Sequence, residues 1–107
     1  MLNKEIIISY LESKKDKWVK SLGLTELGLF GSFARDEQDQ DQESCSDIDI
    51  VFDFHENNIN KKRFIKQNIK DHFDRDVNCC PLDYLERRFP ENIAKIKREL
   101  IFVLKNR

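Results

Sequence analysis

Nine residues, Ser46 to Phe54 (SDIDIVFDF), constrain the fold more than any other part of the chain. Apolar and acidic residues alternate with a period of two, which is the signature of a strand. Ile48, Ile50, Phe52 and Phe54 fall on one face, and Asp47, Asp49, Val51 and Asp53 on the other. One face therefore belongs to a core. The other presents carboxylates.

The flanking segments supply the rest of that core. From residue 3 to about 21, Ile6, Ile7, Tyr10, Leu11, Trp18, Val19 and Leu22 recur at helical spacing, and the DKW stretch leaves one helix or two open. LTELGLF reads as a short strand ending near Phe30. SFARDE reads as the first turn of a helix, with Ser32 near its start. DEQDQDQESCS is polar and featureless and reads as a mobile loop. In NKKRFIKQNIKDHFDR, Phe64, Ile65, Ile69 and Phe73 form an apolar stripe on a helix. DVNCC reads as a third strand stopped by Pro81. LDYLERRF is helical, and Pro90 separates it from ENIAKIKREL. LIFVL either extends that helix or forms a terminal strand. Helices alternating with strands predict an α/β or α+β sheet with helices packed against it.

A chain of 107 residues is expected to form one domain, 1–107. Charged residues make up 36% and cancel to a net charge of -1, so the whole molecule has no pull towards nucleic acid or an anionic membrane. Lys61, Lys62, Arg63 and Lys66 form a local basic cluster that reads as a solvated helix face. No apolar run approaches the ~20 residues of a membrane span, and the first residues read as a helix rather than a signal peptide. The expected location is cytoplasmic. Cys45, Cys79 and Cys80 are odd in number and lack a C-x-x-C pair, so neither a disulfide framework nor a zinc site is expected.

Asp47 and Asp49 carry the chemistry. Residues i and i+2 of a strand project from one face, roughly 6.6 Å apart along the chain. Two such carboxylates repel and are costly to desolvate, and a divalent cation between them removes that cost. Mg²⁺ prefers oxygen ligands and shares them with substrate phosphates. Two ions about 3.5–4 Å apart stabilise both the attacking and the leaving oxygen of a phosphoryl-type transfer. Upstream, Gly31 lets backbone approach a ligand closely, and Ser32 offers a hydroxyl near free N–H groups to a phosphate. Each motif alone has a plainer reading: solvated acids on an exposed sheet face, and a Ser N-cap after a Gly turn. Together they place a phosphate cradle beside a metal site.

With these residues in place, GSFAR followed by SDIDIVFDF resembles the signature of the DNA polymerase β nucleotidyltransferase superfamily, and in particular its minimal nucleotidyltransferases. The resemblance implies a mixed sheet flanked by helices, with Mg²⁺ (one or two ions) and ATP at one edge. It implies that Gly31 and Ser32 hold the triphosphate, that Asp47 and Asp49 ligate metal, and that Arg35 positions the segment after the Gly-Ser; a simple surface arginine is the alternative. It further implies an antitoxin that transfers AMP onto a tyrosine of a small helical HEPN-type toxin. A homo-oligomer stays open. The alternatives are a catalytically weakened binding module and, further off, transfer to a small molecule such as an aminoglycoside; nucleic acid is not an expected partner.

Two departures stand out. The spacer between Ser32 and Asp47 has fourteen residues, longer than the family's usual one, and a polar loop absorbs this at little cost. The second concerns the family's third carboxylate, which falls on DVNCC. The direct alignment puts Asn78 there, an oxygen ligand without charge or basicity. A register shift of two would bring Asp76 in instead, moving the carboxylate about 6.6 Å.

Overall fold

The structure, a computed structural model, describes residues 2–35, 47–56 and 58–105. Cys45 and the polar segment read as a loop lie outside the described residues.

Helix α1 (Lys4–Leu22) is one continuous helix. No Gly or Pro interrupts it, and the DKW stretch merely turns Asp16 and Lys17 outward while Trp18 is buried. The Asn3 side chain accepts from the Ile6 N–H at 3.0 Å and caps the start. Gly23 caps the end with φ 73°, a left-handed conformation that costs glycine little.

Strand β1 (Leu24–Phe30) leads into the single-turn helix α2 (Gly31–Ala34). The helix cap falls on Phe30, which has no side chain to offer the backbone, so Ser32 stands inside the turn and is not its cap. Strand β2 (Ile48–Phe54) follows, then helix α3 (Ile59–Phe73), strand β3 (Val77–Cys80), helices α4 (Leu82–Arg88) and α5 (Ile93–Glu99), and strand β4 (Ile101–Lys105).

The sheet order is β3-β2-β1-β4. Strand β1 runs antiparallel to β2 and β4, and β2 runs parallel to β3, so the sheet is mixed. LIFVL is thus a strand and does not extend α5. The backbone turns extended at Leu100, and Ile101 pairs with Leu29, covering the β1 edge whose N–H and C=O groups would otherwise lack partners.

The apolar face of β2 meets α1 and α3. Ile48, Ile50, Phe52 and Phe54 join Ile7, Leu11, Trp18, Ile65 and Ile69 in one buried cluster. Each such side chain contributes about 1.5–3 kcal/mol on burial. Tyr10 stacks on His72 at 4.1 Å between ring centres and meets Phe73 edge-on at 5.2 Å, closing the α1–α3 seam. Phe64 departs from the predicted stripe and is 46% exposed. It precedes Ile65 by one residue, about 100° around the helix from the Ile65–Ile69–Phe73 line that faces the sheet. On the acidic face, α4 packs against β2, and Val51 and Leu85 are buried outside the main cluster.

Candidate active site

Register sets the site. Phe30 of β1 lies opposite Asp49 of β2, and Asp49 lies opposite Asn78 of β3. These three residues form a row across the acidic face, and Asp47 stands just before β2 begins. The Asn78 side-chain Nδ2 donates to Asp47 Oδ2 at 3.2 Å and to Asp49 Oδ1 at 3.1 Å. One amide therefore touches both carboxylates.

Gly31 closes the site from above. Its φ is +79°, and a Cβ there would collide with the Asp49 carboxylate. Only glycine lets the start of α2 come this close to an acid. Ser32, half-exposed, is the next residue along. Arg35, at the end of α2, bonds Glu99 of α5 through Nη1 and Oε1 at 3.0 Å, which ties the Gly-Ser segment to the C-terminal part of the fold.

Burial raises the Asp49 carboxyl above its ordinary value, and the neighbouring charge of Asp47 adds to the rise; the Asn78 hydrogen bond and the Arg35 charge oppose it. The half-buried pair thus carries an electrostatic cost that a neutral amide relieves only in part. Among the described residues, no third His, Cys, Asp or Glu joins the two. The donor set is two carboxylate oxygens plus the oxygen of Asn78, which presents itself when the amide turns over. All are hard oxygen ligands, and the set fits Mg²⁺.

Asp76 is placed differently. Its carboxylate bonds Lys70 Nζ at 2.9 Å and is well exposed. Lys70 holds its carboxyl below the ordinary value. The parallel register puts Asn78, not Asp76, beside Asp49.

Two cations escaped the sequence reading. Lys70 and Arg75 line a cleft of about 170 Å³ together with Asp47, Asp74 and Asp76. The Arg75 guanidinium also sits over the Phe33 ring, 5.6 Å from its centre, and so beside α2. Both lie at or just past the end of α3, where no periodicity marks them; a pair of basic residues just ahead of the third strand was the available signal. Of the predicted basic cluster, Lys61 donates to the Glu56 carbonyl at 3.1 Å and lies over the Phe54 ring. Cys79 and Cys80 are half-buried on β3. Burial raises both thiols, Cys80 to about 11, so at neutral pH neither is a thiolate.

Among the described residues, no helix is long and apolar enough to cross a membrane.

Known proteins are similar to this chain in sequence or in fold. Protein adenylyltransferase MntA of Thermococcus cleftensis is 41% identical over 56 residues, which is 52% of this chain and 52% of that protein. The chain thus spans about half the length of the curated relative it matches. A crystal structure of a toxin–antitoxin with AMP-PNP has the same fold, with a TM-score of 0.61 at 19% identity over 90% of this chain and 74% of that one. A mutant of the MntA–HpeT toxin–antitoxin gives a TM-score of 0.56 at 18% identity over the same shares. Residues 7–103 match the family described as the nucleotidyltransferase domain, and the chain belongs to that family.

Proposed function

We propose that the chain is the antitoxin of a toxin–antitoxin pair and transfers AMP from ATP to a hydroxyl of its partner, a small helical protein of the HEPN type. The observation that carries this reading is the convergence of Asp47, Asp49 and Asn78 directly under Gly31. The names of the similar MntA protein and of the two toxin–antitoxin structures point the same way.

In this reading the carboxylates of Asp47 and Asp49 and the amide oxygen of Asn78 hold Mg²⁺, one ion or two. When bound, the metal neutralises charge that develops on the transferred phosphoryl group. Gly31 and Ser32 take the triphosphate, with backbone N–H groups and the Ser32 hydroxyl facing its oxygens. Arg35 holds this segment in place through Glu99. The partner hydroxyl attacks the α-phosphorus in line, a P–O bond forms, and pyrophosphate leaves. Asn78 has no basic atom, so the hydroxyl proton passes to a carboxylate or to solvent.

The test is calorimetry of ATP binding with and without Mg²⁺. Binding that requires the metal and disappears in Asp47→Ala/Asp49→Ala supports the reading; binding indifferent to metal and to both substitutions contradicts it.

Asn78 also favours a second reading, in which catalysis is weakened and the chain neutralises its partner by contact. Under that reading Asp47→Ala/Asp49→Ala protein, if folded, still protects cells from the toxin. Lost protection contradicts it.

A further inference from the structure

The carboxylates stand between two clefts of opposite character. On the Asp47 side is the polar cleft, where Lys70 and Arg75 stand among Asp47, Asp74 and Asp76 and Lys70 is paired with Asp76. On the Asp49 side is a larger groove of about 360 Å³, within the usual size of small-molecule sites. Phe30 forms its near wall and is the cross-strand neighbour of Asp49. Leu85 and Ile96 give it an apolar floor, with Leu85 almost wholly buried. Phe89, 37% exposed, supplies an aromatic ring, and Asn92 and Lys95 supply a polar rim. The Arg35–Glu99 ion pair closes the end next to α2, so the charges there already satisfy each other.

A nucleoside triphosphate likewise has a polar part and a flatter, less polar one. Its tail carries several negative charges, its head is a flat ring system with polar edges, and the α-phosphate joins the two. Resting on the nucleotidyl-transfer reading above, we infer that the groove between β1, α4 and α5 binds the base and ribose of the nucleotide, with Phe89 as its stacking surface. The head then enters on the Asp49 side and the tail lies along Gly31 and Ser32. This leaves the α-phosphate beside the two carboxylates. The Asn92 amide, with two donors and an acceptor, faces the edge of the base.

Phe89 lies at the end of α4, half out of the protein, so replacing it leaves the core intact. The experiment compares ATP with tripolyphosphate, which has the tail and lacks the head, by calorimetry in Mg²⁺ on the full chain. Stacking of one base predicts that Phe89→Ala weakens ATP about tenfold and leaves tripolyphosphate unchanged. Phe89→Trp retains ATP, and its fluorescence responds to ATP but not to tripolyphosphate; Trp18 is buried and stays silent. If Phe89→Ala leaves ATP binding as it was, or weakens both ligands equally, the groove is not the nucleoside site while the nucleotidyl-transfer reading stands. If wild type binds neither ligand, both fall.

Discussion

Asn78 occupies a position opposite Asp49 and donates to both Asp47 and Asp49. The resemblance to the minimal nucleotidyltransferases implies a third acid at this position, and with Asn78 the site carries one negative charge fewer than that pattern. Restoring the acid with Asn78→Asp draws three carboxylates together. Without metal this destabilises the fold by about 1–3 kcal/mol, since the amide donor is lost and like charges meet. With metal it tightens Mg²⁺ binding at least tenfold, about 1.4 kcal/mol. Melting curves in chelator and titration calorimetry with Mg²⁺ read the two effects, and they have opposite signs. Asp49 gives a second prediction. Burial, then the charge of Asp47, raises its folded pKa above the value in the unfolded chain. For an acid shifted upward, stability is greatest below the unfolded value and is lost as pH climbs through the folded one. Asp49→Asn therefore raises the melting temperature of the metal-free protein at neutral pH and removes the further rise that Mg²⁺ gives the wild type. In the wild type, Mg²⁺ affinity falls as pH drops through the raised value, because the metal needs the ionised carboxylate. A melting temperature lowered by Asp49→Asn in chelator would contradict this account of the pair.

The elements that carry the site rest on the core beneath them. Trp18 sits on α1, against the apolar face of the sheet, and is 1% exposed. Trp18→Ala leaves a large cavity there and costs about 3–5 kcal/mol, measured by denaturant unfolding. Much of this packing was legible in the sequence. The alternation of β2 fixed both its faces, because a strand has a period of two and this one puts acids only on the open side. Asp47 and Asp49 followed from it, Gly31 was read from the Gly-Ser pair upstream, and the register brings them together. Other parts were not legible, for physical reasons. LIFVL is apolar enough for a buried helix end or a strand, and only the open edge of β1 decides. Phe64 was placed in the stripe because it neighbours Ile65, yet one residue is a 100° turn. Glu99 lies sixty-four residues from Arg35, and a contact at that separation leaves no local mark.

At the scale of the whole molecule, the sheet brings a carboxylate pair, a glycine-opened backbone and the larger groove to one face, while α1 and α3 cover the other and the end of α3 lines the second cleft. Transfer to a partner hydroxyl, as proposed above, requires that the α-phosphate of a bound nucleotide stay open to a second protein. The most direct test incubates the chain and the proposed partner toxin with ATP labelled at the α-phosphate, in Mg²⁺ and separately in Mn²⁺. The account predicts label on the partner, retained after denaturation, dependent on the metal, and absent with Asp47→Ala/Asp49→Ala. A partner that binds the chain yet stays unlabelled in both metals would contradict it.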